Sequence, residues 1–374
     1  METNGNNNDF KLILLPGAEK FGEKVNEHLK VILDSPCGFI LPMAVPRFND
    51  GEGKGKINDC DSARNAKVFI VQDVTNCFVN YNFRGAPRPY SPDDHYRDII
   101  RAIGALRGHA KEISIVMPNL YEGRQHKGSA KESLDCSLAL QELESYGIKR
   151  IVTFDIHNEG VANAIPKTEL KNIHPTKPIL WDFINNEDFD PNKTITISPD
   201  EGAIKRASYI RDVFDNQLAF FNKERDQGKI IDGKAKILGH AFIGTPSMVR
   251  GKDVIIRDDI IDSGGSMIDT IKQMKNLGAG RVFVIATFSL FSRGYEEFDK
   301  LYEEGYLYKV YSTNLTYVPE ELAQRPWFHC TDCSRQLAEY LAYYKNEQSL
   351  NELNQTDPEM IRELALRRRK KRSH

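Results

Sequence analysis

Asp258, Asp259 and Asp262 stand beside Ser263-Gly264-Gly265-Ser266, directly after the apolar run Val254-Ile255-Ile256. The apolar run reads as a buried strand. Met267, Ile268, Ile271, Met274 and Leu277 share one face of a helix that begins near Ser266 and stops near Gly278. Strand, glycine turn and helix in this order bring backbone N–H groups and the positive end of a helix dipole to one point, which is how a phosphate is held. The glycines let the backbone come close, and the serines add hydroxyl donors. The carboxylates would repel an isolated phosphate. They fit a ligand that also carries neighbouring hydroxyls, as a ribose does, or a magnesium ion. The stretch therefore points to a sugar phosphate, with acids for its ring hydroxyls and amides for its phosphate.

The elements that must position this loop recur along the chain. Phe10–Gly17, Ala66–Asp73, Glu112–Asn119 and Lys149–His157 read as strands, with helices at 18–33, 93–110 and 130–147 between them. The rhythm returns with strands at 193–200, 217–222, 252–259 and 281–288 and helices at 203–214 and 266–278. Continuous apolar strands alternating with amphipathic helices predict an α/β protein of two similar parallel-sheet domains, with helices on both faces. Ligands in such sheets sit beyond the carboxyl ends of the strands, where the aspartate-glycine stretch falls.

Two segments read as loops. Asn80 to Asp94 is rich in Pro, Gly and Asn. Asn222 to His240 is charged and glycine-dotted, and is expected to be mobile. Asp357 and Pro358 open a C-terminal helix that closes in the basic run Arg367 to Arg372, expected to be a frayed, solvated tail.

The 374 residues carry a formal net charge of -2, so no global field marks nucleic acid or an anionic membrane as partner. No apolar run is long enough for a membrane span, and the start lacks a basic-then-apolar signal pattern. The 6 cysteines are scattered, as for reduced thiols in a cytoplasmic protein. Cys330 and Cys333 have a C-x-x-C spacing, but no second such pair supplies the remaining ligands of a structural zinc, so a turn into a helix is expected there.

The aspartate-glycine stretch resembles the phosphoribosyl-pyrophosphate loop of the type I phosphoribosyltransferase fold. Other segments narrow the resemblance to the ribose-phosphate pyrophosphokinase (PRPP synthetase) family. Arg47 to Glu52 (RFNDGE) is similar to the family's Phe-Ser-Asp-Gly-Glu; this implies that Phe48, Asp50 and Glu52 hold the adenine of ATP bound at a neighbouring subunit. Gly123 to Gln125 resembles Ala-Arg-Gln, which implies that Arg124 and Gln125 meet the nucleotide. Asp155 to His157 resembles Asp-Leu-His, and Ser198 to Ala207 (SPDEGAIKRA) resembles Ser-Pro-Asp-x-Gly-Gly-x-x-Arg-Ala; His157 and Asp200 are then the metal-side residues for magnesium. Asn222 to Arg225 resembles Asp-Lys-Arg-Arg and puts Lys223 and Arg225 on the catalytic basic pair. In the loop, Asp258, Asp259, Asp262, Ser263, Gly264, Gly265 and Ser266 would bind ribose 5-phosphate. STNLTYVP and EQSLNEL resemble the family's closing segments, so the likeness runs from about residue 10 to 355.

The resemblance implies two phosphoribosyltransferase-like domains at 8–166 and 167–340, a closing segment at 341–356 returning to the first, and a helical, basic extension at 357–374. It implies ATP and ribose 5-phosphate as substrates, PRPP and AMP as products, and a dimer-based assembly, the hexamer common in the family. No nucleic-acid or membrane partner is expected. Two rivals share parts of the pattern: a regulatory homologue without chemistry, which usually lacks the basic pair or an intact sugar loop, and a phosphoribosyltransferase, which has no use for FNDGE, GRQ or Lys223. The chain departs from the pattern in five places. NEGVANA follows His157, His126 replaces an acid, Ala203 replaces a glycine, the Asn80–Asp94 segment is longer than usual, and the basic C-terminal extension is not typical.

Overall fold

The structure is a computed structural model that describes residues 9–58, 63–128, 131–231, 234–348 and 361–365; between 223 and 240 it describes backbone only. The chain forms two compact units. The first holds Met1–Pro175, Asn314–Tyr317 and Asp332–Gln355, and the second holds Thr176–Thr313, Val318–Thr331 and Thr356–His374.

In the first unit, β1 (Phe10–Leu14) leads to α1 (Glu19–Ile32), the short pair β2 (Met43–Ala44) and β3 (Lys56–Ile57), and β4 (Lys67–Val71). A hairpin, β5 (Asn80–Phe83) and β6 (Ala86–Pro89), precedes α2 (Pro92–Leu106). Then come β7 (Glu112–Val116), α3 (Asp135–Ser145), β8 (Arg150–Phe154) and β9 (Glu169–Ile173). The parallel sheet has the order β1-β4-β7-β8-β9. Val68 and Ile70 bury one face of β4 against Ile99 and Ile103 of α2. Phe69, between them, points the other way, 5.5 Å from the Phe10 ring. This period-two split is what an apolar strand covered on both faces requires. Ser91 caps α2: its hydroxyl accepts from the Asp94 N–H while the Asp94 carboxylate accepts from the Ser91 N–H, with Pro92 in the first turn.

The second unit opens with α4 (Thr176–Asn186), β10 (Thr194–Ser198) and α5 (Ile204–Phe214). The strands β11 (Gln217–Ile231) and β12 (Lys234–Ile243) follow, then α6 (Pro246–Val249), β13 (Asp253–Ile261) and α7 (Gly265–Asn276). It closes with β14 (Val282–Ser289), α8 (Glu296–Glu303), β15 (Lys309–Thr313), α9 (Glu320–Ala323) and β16 (Phe328–Thr331). The sheet order is β12-β11-β10-β13-β14-β15-β16, with every pairing parallel except β11 with β12. Val254 and Ile256 bury against Met267 and Ile271 of α7. Ile255 faces the opposite layer with Phe183 of α4 and Phe214 of α5, a layer that Ile361 and Ala365 of the C-terminal extension also join.

After β16 the chain returns to the first unit at Asp332, and α10 (Ser334–Lys345) packs there beside α1. The sequence placed this return at residue 341. It comes earlier because Asp332 is anchored in the first unit: Lys24 lies at 2.8 Å, and the Ser334 N–H and the Asn314 amide both donate to Oδ1. Burial raises the Asp332 pKa, but the Lys24 and Ser334 hydrogen bonds outweigh it and hold the carboxyl well below the usual range. Cys333 is buried and precedes the first turn of α10, so the C-x-x-C spacing does span a turn into a helix.

Both expected loops are β structure instead. In the Asn80–Asp94 segment, Arg84 and Gly85 join β5 to β6 with φ of 51° and 87°, the conformation of a two-residue hairpin turn. Pro87 and Pro89 are accommodated because β6 is an edge strand with no further partner to bond. The Asn222–His240 segment is strand on both sides, a ribbon with register shifts at Glu224/Arg225 and Asp226/Ile230. Its Asp232-Gly233 dipeptide is a strong hairpin signal, but lies outside the described residues. No helix among the described residues is long and apolar enough to cross a membrane.

Candidate active site

The strand carrying the acids is longer than the sequence suggested. β13 holds Asp258 and Asp259, as the sequence placed them, and runs on through Ile261, so the turn is Asp262 to Gly264. The reason is the neighbouring strand: β14 pairs alongside as far as Ile261↔Ser289, which carries the ladder past the acids. The backbone N–H of Asp259 donates to Asp258 Oδ1 at 2.8 Å. Asp259 is buried and lies 3.7 Å from the Arg206 guanidinium. Arg257 is fully buried under the pair, donates to the Asp258 carbonyl, and reaches Thr287 Oγ1 at 3.1 Å. Burial pushes the Asp258 carboxyl well above its ordinary range, with the negative charges of Asp259 and Asp200 adding to the rise.

Gly264 has φ of 79° and directly precedes α7. A β-carbon there would stand 2.6 Å from the Phe298 ring, whereas one at Gly265 would meet nothing within 4 Å. The left-handed turn thus aims the first N–H groups of α7 outward. Ser263 and Gly265 are exposed and Ser266 is half-buried. Asp262 turns away from the helix end: its Oδ1 accepts from Ser292 Oγ at 2.7 Å and its carbonyl from the Ser292 N–H at 2.9 Å. Asp200 stands beyond β10, where its side chain accepts from the Ala203 N–H at 3.1 Å. Lys223 and Arg225 fall on β11, opposite His240 and Ile237; their side chains lie outside the described residues.

The remaining residues belong to the first unit. Arg47 to Glu52 is a tight turn in which the Phe48 N–H donates to the Glu52 carbonyl at 2.7 Å and the Glu52 N–H to Asp50 Oδ1 at 3.0 Å. The Phe48 ring is 52% exposed, available to a planar ligand. Arg124 and Gln125 lie past β7 on an exposed turn, with the Gln125 N–H held by the Glu122 carbonyl. His157 is exposed just past β8, and its ring lies 5.3 Å from that of His126. Burial lowers the His126 pKa, and His157 and Lys127 push it down further.

The structure thus brings Asp200, Asp258 and Asp259 together in the second unit, and His126 beside His157 in the first. Sequence reasoning gave no role to Arg206 and Arg257. Arg206 lies inside the SPDEGAIKRA segment, so its signal was available; Arg257 carried none, because a cation within an apolar run shows its purpose only through partners on another strand.

A parallel sheet whose strand ends carry an aspartate pair and a left-handed glycine turn defines a phosphoribosyltransferase-type fold. The family model for the N-terminal domain of ribose phosphate pyrophosphokinase matches residues 10–147, and that for the phosphoribosyl transferase domain matches 170–308. A ribose-phosphate pyrophosphokinase of Shewanella oneidensis is 31% identical over 66% of this chain and 71% of its own length. Another, of Vibrio parahaemolyticus, is 26% identical over 92% and 98%. Among solved structures, phosphoribosylpyrophosphate synthetase of Mycobacterium smegmatis shares the fold, with a TM-score of 0.72 at 20% identity over 91% of this chain and 99% of that one. The chain belongs to the ribose-phosphate pyrophosphokinase family.

Proposed function

We propose that the chain transfers the β,γ-pyrophosphoryl group of ATP to the anomeric hydroxyl of ribose 5-phosphate, giving PRPP and AMP. One observation carries the reading of the sugar site: a half-buried and a buried carboxylate, Asp258 and Asp259, near the end of β13 are followed by a left-handed turn at the N-terminus of α7. The amides from Ser263 to Ser266 and the helix dipole hold the 5-phosphate. Asp258 and Asp259 accept from the ring hydroxyls, while Arg206 faces the Asp259 carboxylate and Arg257 holds the Asp258 backbone carbonyl. Asp262, held by Ser292, completes the ribose 5-phosphate loop.

Phe48, Asp50 and Glu52 receive the adenine, and Arg124 and Gln125 the phosphates. The anomeric oxygen attacks the β-phosphorus and the bond to the α-phosphate oxygen breaks, so AMP leaves. Such a transfer depends on positioning and charge neutralisation. Lys223 and Arg225, on the β11–β12 ribbon, supply positive charge as that bond breaks.

The donor set fits magnesium. The charges of Asp259 and Asp200 add to the burial that raises the proton affinity of Asp258, a repulsion a cation relieves. No group of three or more metal-ligating side chains occurs among the described residues, and magnesium usually takes one or two carboxylates with substrate phosphates. By the family resemblance Asp200 and His157 would hold it, and it would supply charge neutralisation for the phosphates of ATP.

The exposed Phe48 turn suits service to a neighbouring subunit, so the active form is dimer-based, a hexamer in the family's manner; a fully active monomer in solution refutes this. Cys77 and Cys136 carry free thiols, in keeping with a cytoplasmic enzyme.

The test is product analysis with ATP, magnesium and ribose 5-phosphate. AMP formed in step with PRPP is expected. ATP binding without AMP would favour a regulatory homologue, and transfer of the ribosyl group to a free base would favour a phosphoribosyltransferase.

A further inference from the structure

We infer that the β5–β6 hairpin is a clamp that positions the Arg47–Glu52 turn for the nucleotide. The inference rests on the reading of that turn as a nucleotide contact and adds to it the element that holds the turn in shape.

The turn closes on itself through the Phe48 and Gly51 N–H groups, which donate to the Glu52 and Phe48 carbonyls, and through the Glu52 N–H on Asp50 Oδ1. The hairpin packs against it from outside. The Arg84 N–H donates to the Asn49 carbonyl at 2.9 Å, which ties the hairpin tip to the turn. Tyr81 and Phe83 lie two residues apart and therefore share a face of β5. Both meet the turn at Gly51, where a β-carbon would stand 3.3 Å from Phe83 Cε2 and 3.7 Å from Tyr81 Oη. Gly51 also has φ of 93°, so both the conformation and the close approach call for glycine.

The root of the turn is held in the same way. The buried Arg47 guanidinium lies 4.7 Å from the Tyr90 ring centre and 5.6 Å from that of Tyr81. Its Nε donates to Tyr90 Oη at 3.0 Å, and it pairs with the buried Asp98 carboxylate of α2 at 2.9 Å. Arg88 of β6 also lies over both hairpin rings, at 5.9 Å from Tyr81 and 5.2 Å from Phe83. A two-stranded hairpin is marginal on its own, and so is an exposed turn. Packed together, each orders the other, and the ordering cost is met before ATP arrives. The effect should fall on ATP and not on the sugar.

Tyr81, Phe83 and Arg47 are positioning residues, because none is placed against substrate. The experiment is steady-state kinetics of the full chain carrying Tyr81→Ala and Phe83→Ala together. The KM for ATP should rise by about 5- to 20-fold while that for ribose 5-phosphate stays within about 2-fold. Tyr81→Phe alone, which keeps the ring, should hold the parent KM for ATP. An unchanged KM for ATP in the double variant overturns the clamp. So does a parallel rise for both substrates accompanied by lost thermal stability, which marks general structural damage. Phe48→Ala in parallel separates the two readings. If it raises the KM for ATP and the hairpin variants do not, the clamp fails alone. If it leaves the KM for ATP unchanged, the turn is not a nucleotide contact and the clamp falls with it.

Discussion

Replacing Gly264 with alanine tests the sugar-phosphate turn at its most constrained atom. A φ of 79° costs an L-residue about 1–2 kcal/mol. The new methyl would also stand 2.6 Å from the Phe298 ring. That ring cannot step aside: it is buried, stacked on Trp327 at 5.6 Å and set edge-on to Phe291 at 4.9 Å. Forcing a methyl into such packing costs about 1–3 kcal/mol more, for a total near 2–5 kcal/mol. A unit of this size loses about 2–4 °C in Tm per kcal/mol, so a fall of roughly 4–20 °C is expected by calorimetry. Gly265→Ala is the control. It has no positive φ and open space around it, so Tm should hold while the KM for ribose 5-phosphate rises, because the methyl enters the space the phosphate needs. A Gly264→Ala protein within about 1 °C of the parent would refute the reasoning, since a strained, close-packed site sits near the destabilising tail of substitutions.

Three further outcomes follow from the electrostatics and the catalytic assignment. Asp258→Asn should raise the KM for ribose 5-phosphate yet leave the unliganded protein at least as stable. The folded pKa of Asp258 is raised, so its contribution to stability is complete below the unfolded carboxylate pKa and is lost as pH rises through the folded value; the variant's Tm should lack that decline. Asp332→Ala should cost about 1–3 kcal/mol by denaturant titration, from the hydrogen bonds it strips from the start of α10. Its folded pKa is depressed, so the contribution is present above the unfolded carboxylate pKa and lost as pH falls, and parent and variant should converge in acid. Lys223→Ala should cut kcat by about 100-fold or more with a smaller change in the KM for ATP, and an unchanged kcat would remove Lys223 from the chemistry.

What could be read before the structure was whatever is local in the chain. Apolar runs such as Val254–Ile256 and the three-to-four spacing of Met267, Ile271 and Met274 report burial within a few residues, so the strand–helix alternation and the glycine turn were legible. Two edge ribbons were not. Pro87 and Pro89 mask β6, and the charges between Asn222 and His240 mask β11 and β12, because a strand with an open side need not be apolar.

The sequence by itself determined which chemistry the loop could do: acids for hydroxyls, amides for phosphate, in an order that leads into a helix. Tertiary structure decided the state of those groups. β13 runs past Asp259 to Ile261 because β14 extends beside it, and Asp258 holds its proton more tightly because burial and Asp200 act on it from outside the loop. Arg257 and Arg206 tether the pair from a strand interior and from α5. Desolvation and charge coupling depend on distances between residues far apart in the chain, and only the folded protein sets those distances.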